Sequence, residues 1–102
     1  MFGHKNNTLV YNSAYEDKKP NAYYKFSIES IRIEGVKCII PDCFWNFINL
    51  KEVVICKDVE IIEHGAFKDC ISLEKVMIPN TLSKIEANAF MNCINLKQVV
   101  FY

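Results

Sequence analysis

The sequence predicts one α/β domain of solenoid form: a short right-handed coil with a parallel strand ladder on one side and short helix-side turns on the other. Two observations predict it. Residues of the same type recur every 23 positions from Val36 to the end of the chain, and each unit changes from strand-like to helix-like hydrophobic spacing. The 102 residues provide one domain at most, and the 51% apolar content is ample for a packed core.

The repeat is clearest in its aromatic column, because Phe44, Phe67 and Phe90 lie 23 residues apart. Aliphatic, small and polar columns keep the same step. They are Leu50, Leu73, Leu96; Val53, Val76, Val99; Ile55, Ile78, Phe101; Ile39, Ile62, Ile85; Ile48, Ile71, Ile94; Val36, Val59, Leu82; Cys43, Ala66, Ala89; and Asn46, Asp69, Asn92. We interpret the apolar columns as inward-facing ladders, since one coil cannot bury its own apolar face.

An earlier, shorter copy begins at Ile28, whose step to Leu50 is 22 residues. One residue is therefore missing, and the turn at Glu34-Gly35 is the place we expect for it. With this copy, the repeats cover residues 28–102.

Each unit combines a short strand with a helix-like segment. The runs 53–55 and 76–78 are apolar and rich in β-branched residues, which is typical of strands. In the segments 65–71 and 88–94 the apolar residues fall at i, i+3 and i+4, which predicts one or two helical turns. A strand and a short helix in about 23 residues make a leucine-rich-repeat coil.

The stretch from Ile62 to Pro79 resembles the BspA-type leucine-rich repeat, which has the pattern I-x-x-x-A-F-x-x-C-x-x-L-x-x-V-x-I-P. The copy from Ile85 to Val99 fits it closely, whereas the copy at 39–56 has Cys43, Phe47 and Cys56 at the Ala, Cys and Pro positions. The resemblance implies a repeat solenoid similar to bacterial surface adhesins and to large protist repertoires, in a family that includes many binding modules.

The two ends of the coil are expected to differ. Residues 1–27 contain two β-like runs, 8–11 and 23–26, around a Pro-Asn turn, and we predict an N-terminal cap formed by a β-hairpin. The coils at 28–102 lack a C-terminal cap, because the sequence stops in an apolar strand at Tyr102. An open edge of this kind predicts a homodimer, a tolerated bare edge or a fragment.

Alternation along the strands predicts a binding face. Because Val53 and Ile55 point inward, their neighbours point to the concave surface. The middle column is Arg32, Val54, Met77 and Val100, and the candidate protein-binding set is Arg32, Glu52, Val54, Lys75, Met77, Gln98, Val100 and Tyr102. Apolar residues rimmed by polar ones are typical of protein-contact surfaces, although β-propensity alone also places Val and Met on strands.

Other classes of function are disfavoured. The sequence has no G-x-x-x-x-G-K-[ST], H-E-x-x-H or G-x-S-x-G motif, and its five cysteines include no C-x-x-C pair, so we expect no catalytic, cofactor or metal site. Twelve basic and twelve acidic residues argue against nucleic acid. No apolar run is long enough to span a membrane. Free thiols and a start without a signal-like segment predict a cytoplasmic location, with the cell surface or secretion as the alternative if the chain is a fragment.

We therefore expect a non-catalytic protein-interaction module that binds through the concave strand face. Two alternatives stay open: a surface or secreted adhesin-type repeat that binds a host or matrix protein, and a self-assembling unit that pairs through its C-terminal coil.

Overall fold

The computed structural model describes residues 7–102, which form a coil with a parallel strand ladder. The elements are β1 (Thr8–Tyr11), a 3₁₀ helix (Ser13–Tyr15), α1 (Tyr24–Ser27), β2 (Ser30–Ile33), β3 (Cys38–Ile39), β4 (Glu52–Ile55), β5 (Ile61–Ile62), β6 (Lys75–Ile78), β7 (Lys84–Ile85) and β8 (Gln98–Phe101). A five-stranded sheet has the order β1-β2-β4-β6-β8, and a three-stranded sheet of two-residue strands has the order β3-β5-β7. The predicted solenoid with parallel strands is confirmed.

The strand register reproduces the sequence repeat. In the large sheet Val53 is paired with Ile31 on one side and with Val76 on the other, so each inward column becomes a row of neighbours. The step from β2 to β4 is 22 residues, whereas the pairing of Cys38 with Ile61 gives a step of 23 from β3 to β5. The missing residue therefore lies between β2 and β3, where Gly35 has a φ of 69°.

The side of the coil opposite the large sheet is made of hydrogen-bonded turns, and the predicted helical turns are not formed there. Two positions per unit have positive φ, which interrupts a right-handed helix. The first position is occupied by Asp42, Gly65 and Asn88 in successive coils, and the second by Asn46, Asp69 and Asn92. The freed backbone donors bond to the next coil, as in Phe44 N–H to the Ala66 carbonyl at 2.8 Å and Phe67 N–H to the Ala89 carbonyl at 2.8 Å.

Two features of the turn favour glycine at position 65, where the neighbouring coils have Asp42 and Asn88. The φ of Gly65 is 68°, a backbone angle that residues with a Cβ rarely adopt. In addition, a Cβ at this position would lie 2.2 Å from Oδ1 of Asp42 in the preceding coil. A side chain at position 65 would therefore displace the Asp42 carboxylate.

The phenylalanine column forms a continuous stack through the core. The ring centroids of Phe44 and Phe67 are 5.3 Å apart and those of Phe67 and Phe90 are 5.2 Å apart, with nearly parallel planes. Tyr11, which belongs to the strand column of Ile33, extends the stack with an edge-on contact to Phe44 at 5.3 Å. This stack joins the apolar rows of successive coils into one core.

The predicted β-hairpin over residues 1–27 is wrong for the part that is described, and residues 1–6 lie outside it. β1 is a parallel strand of the large sheet, in which Leu9 is paired with Ile31. The second run, which we expected to be a strand, forms α1, because Asn21 Oδ1 accepts a hydrogen bond from Tyr23 N–H at 2.9 Å and starts a helical turn. The segment is thus a degenerate coil rather than a separate hairpin.

Not every predicted inward column is buried. Ile71 is 42% exposed although coils lie on both sides of it, and Ile94 is 75% exposed, so the column that contains them faces solvent on the turn side. In the last coil, Val99 and Phe101 are 46% and 65% exposed, whereas the corresponding Val76 and Ile78 are buried. Burial in these columns therefore depends on the following coil.

Phe67→Ala should lower the free energy of unfolding by about 3–5 kcal/mol, because it removes a fully buried ring stacked on both sides. Urea unfolding monitored by circular dichroism measures this loss. Phe26→Ala is the control, since Phe26 is largely exposed and should change stability by less than about 0.5 kcal/mol. Equal losses for the two variants would contradict the stacked core.

Candidate functional site

The structure brings the predicted middle column together in one row of the large sheet. Arg32 is paired with Val54, Val54 with Met77 and Met77 with Val100. The row has one further member that was not predicted from the sequence: Val10 of β1 is paired with Arg32 and is exposed. It was missed because the first strand was assigned to a hairpin. The 22-residue step from Leu9 to Ile31 is the signal that could have found it.

The outward row is accessible, and burial alternates along β1, β2, β4 and β6. In β4 and β6, buried residues alternate with half-buried ones, and the half-buried residues are the predicted site residues Glu52, Val54, Lys75 and Met77. Successive side chains of a strand point to opposite faces, so these residues share the outer face of the sheet. We call Val54, Met77 and Val100 the apolar strip.

A polar row lies beside the apolar strip. Glu52 is paired with Ser30 on one side and with Lys75 on the other, and Lys75 is paired with Gln98. Glu52 and Lys75 form no ion pair within residues 7–102. Their opposite charges on neighbouring strands therefore remain available to a ligand.

Arg32 is less available than the sequence suggested. Its Nε donates a hydrogen bond at 2.8 Å to Oε1 of Glu34, which follows the last residue of β2. This hydrogen bond holds the pKa of the Arg32 guanidinium above its usual range. The charge of Arg32 is thus partly balanced before any partner arrives.

The side chain of Tyr102 borders the apolar strip on the side opposite the polar row, and it reaches from the end of β8 across β6 to β4. Its hydroxyl donates a hydrogen bond to the carbonyl of Ile55 in β4, although β6 lies between β4 and β8. The side chain must therefore pass over the end of β6, where Pro79 is buried. Burial raises the pKa of the Tyr102 hydroxyl, which stays protonated and able to donate.

The reason for this contact is the proline. At the equivalent position of the other strand pairs, a backbone N–H bonds to the preceding strand: Glu34 N–H to the Tyr11 carbonyl, Cys56 N–H to the Ile33 carbonyl, and Tyr102 N–H to the Ile78 carbonyl, at 2.9–3.0 Å. Pro79 has no N–H, so it cannot donate to the Ile55 carbonyl in the same way. The Tyr102 hydroxyl supplies the missing donor.

The Cys70 and Cys93 thiols are hydrogen-bonded within the core and are not poised to react. All five cysteines are free, and Sγ of Cys70 and Cys93 donate to the carbonyls of Phe44 and Phe67 at 3.2 and 3.1 Å. Burial raises the pKa of Cys93 to about 11 and that of Cys70 further, so both stay protonated thiols near neutral pH. This column serves to join coils.

Other features of residues 7–102 offer little chemistry. No group of three His, Cys, Asp or Glu side chains in this range could hold a metal ion. Nor does this range contain a helix long and apolar enough to cross a bilayer. A groove of about 520 Å³ near Glu16, Asp17 and Glu63 was not predicted; it is open to solvent and acidic.

Trp45 on the turn side is held between coils. Its Nε1 donates to Oδ2 of Asp69 at 3.0 Å, and Nζ of Lys25 lies 4.8 Å from the ring centroid. Asn92 Nδ2 donates to Oδ1 of the same carboxylate at 2.8 Å. The hydrogen bonds from Asn92 and Trp45 hold the pKa of Asp69 below its usual range. Trp45 therefore contacts the coils on both sides of its own.

Comparisons with known proteins agree with this architecture. The family model for the BspA type leucine rich repeat region matches residues 5–102 in six copies. The chain belongs to this family of leucine-rich-repeat proteins. No curated protein matches it.

A crystal structure of a leucine rich cell surface protein from Faecalibacterium prausnitzii is similar, with a TM-score of 0.69 and 19% sequence identity. The match covers 98% of this chain and 31% of that protein. At this identity the likeness shows the fold alone.

Tyr102→Phe should lower the free energy of unfolding by about 1 kcal/mol, because the Ile55 carbonyl loses its donor. Tyr23→Phe is the matched control, since the Tyr23 side chain is 81% exposed and its substitution should be neutral. Urea unfolding of both variants makes the comparison. A neutral Tyr102→Phe would show that the hydroxyl contact does not stabilise the fold.

Proposed function

We propose that this chain is a non-catalytic protein-interaction module that binds a protein partner through the concave strand face. The single observation that carries the proposal is the apolar strip, in which Val54, Met77 and Val100 stand side by side on the outer face of the sheet. Such a row offers a partner an apolar contact from which water is excluded. The charged and polar side chains of the neighbouring row would fix the position of the partner along the sheet.

The chemistry of the surrounding residues supports binding rather than catalysis. The row of Glu52, Lys75 and Gln98 offers charged and hydrogen-bonding groups at one edge, and Arg32 lies at the β2 end of the apolar strip. Met77, at the centre, has an unbranched and polarisable side chain that adapts to different partner surfaces. We propose that all eight residues predicted from the sequence contact the partner at this face.

Met77→Glu should abolish partner binding, because it places a charge in the middle of the apolar strip. The matched control is Met91→Glu, the same substitution at an exposed methionine on the turn side. Affinity capture from the native lysate with wild type and both variants, quantified by mass spectrometry, makes the test. The proposal requires a protein captured by wild type and Met91→Glu and lost with Met77→Glu, with all three equally folded. A partner set unchanged by Met77→Glu would contradict it.

A surface adhesin is the first alternative. Its support is the similarity to a protein described as a leucine rich cell surface protein. This alternative places the same strand face outside the cell, against a host or matrix protein, whereas the sequence expectation is cytoplasmic. Antibody labelling of intact, unpermeabilised cells separates the two locations.

Self-assembly through the C-terminal coil is the second alternative, and it predicts a homodimer. Its support is the exposure of Val99 and Phe101, two members of otherwise buried columns. At the other end, Leu9 and Tyr11 of the same columns are buried, and we propose that the segment before residue 28 closes that end as a cap. Two copies would then cover each other's open coil.

If the homodimer forms, the melting temperature should rise with protein concentration, and sedimentation at about 100 µM should give twice the mass of one chain. Val99→Lys should return the protein to a monomer, because charge on an edge strand opposes pairing. Ile71→Lys is the control, since Ile71 is similarly exposed but lies on the turn side. A monomer for wild type at this concentration would exclude the homodimer.

A further inference from the structure

We infer that the apolar strip accepts an amphipathic α-helix that lies across the strands, with one of its apolar residues per turn meeting each strand. This inference rests on the proposed function and deepens it, since it names the kind of partner segment that the concave face fits. It follows from the spacing of the apolar strip, its two side walls and its unpaired charges.

The spacing of the apolar strip favours a helix. Val54, Met77 and Val100 are partners on adjacent strands, and adjacent strands lie about 4.8 Å apart. A helix advances about 5.4 Å per turn, so residues one turn apart stay close to this step over three strands. An extended segment repeats its facing side chains every ~6.6–6.8 Å and falls out of step after the second contact.

The two sides of the apolar strip limit the width of the partner. Half-buried Glu52 and Lys75 border it on one side. On the other side the Tyr102 side chain crosses from β8 to the Ile55 carbonyl and covers the end of β6. A narrow apolar stripe, such as that of a helix with apolar residues at i, i+4 and i+7, fits between these borders.

The charges set the direction of the helix. Glu52 and Lys75 are strand partners with opposite charge, and within residues 7–102 neither has an ion-pair partner. A helix that carries Lys opposite Glu52 and Glu one turn further, opposite Lys75, satisfies both charges in one orientation. Arg32 contributes less to this choice, because Glu34 already binds it.

Two displayed peptide libraries test the inference. One presents a stabilised helix of about 18 residues, or five turns, with a randomised face. The other presents extended segments of the same length and the same randomised composition. Both are selected against the full wild-type chain, and the enriched clones are titrated against wild type, Met77→Glu, Met91→Glu and the charge-swapped variant Glu52→Lys with Lys75→Glu.

We expect clones from the helical library that bind wild type and Met91→Glu equally and lose roughly tenfold or more in affinity for Met77→Glu. They should carry Lys and Glu one turn apart beside their apolar residues, and the charge-swapped variant should weaken them by a similar factor.

If only extended clones bind and Met77→Glu abolishes their binding, the helix is excluded while the binding face stands. If the clones of both libraries are insensitive to Met77→Glu, or if neither library yields a binder, both the helix and the proposed face are overturned. Circular dichroism of the four proteins establishes that they are equally folded.

Discussion

The structure depends on backbone hydrogen bonds that join each coil to the next at a fixed register. On the strand side, Glu74 N–H donates to the Lys51 carbonyl at 2.9 Å, and on the turn side Asp69 N–H donates to the Met91 carbonyl at 2.8 Å. Because both sides of a coil are fixed in this way, a side chain in one column lies beside the corresponding side chain of the next coil. The aromatic stack, the aliphatic rows and the apolar strip all follow from this constraint.

Much of the fold was predictable from the sequence for the same reason. The 23-residue step places Phe44, Phe67 and Phe90 in one stack and Val54, Met77 and Val100 in one row, and the structure has both. A period of two within each strand then decides which residues face outward. The partner that binds this face could not be predicted in the same way, because the repeat determines which residues are exposed and does not determine which protein they contact.

The wrong predictions have local physical causes. The helix-like spacing of segment 65–71 is real, but Gly65 and Asp69 take left-handed backbone angles there and send the chain into successive turns. The spacing of apolar residues does not report these angles. Likewise, Ile71 repeats as regularly as the core positions do, yet it faces solvent. A repeat shows that positions are equivalent, and does not show that they are buried.

The first strand was misassigned because its coil is degenerate. β1 has the apolar alternation of a repeat strand, but the segment after it, with a 3₁₀ helix and the short helix α1, departs from the consensus. Strand propensity in the tyrosine-rich run then suggested a hairpin, whereas the Asn21 side chain starts a helical turn. Short-range signals thus outweighed the weaker long-range repeat.

The missing residue between β2 and β3 has a consequence for engineering this scaffold. The large sheet stays in register across the shortened link, and Gly35 within it has open space around the position of a Cβ. Chain length at this bend is therefore uncoupled from the alignment of the strands. A short epitope or a labelling tag grafted after Gly35 would project from the rim, and the strands on either side would keep their pairing.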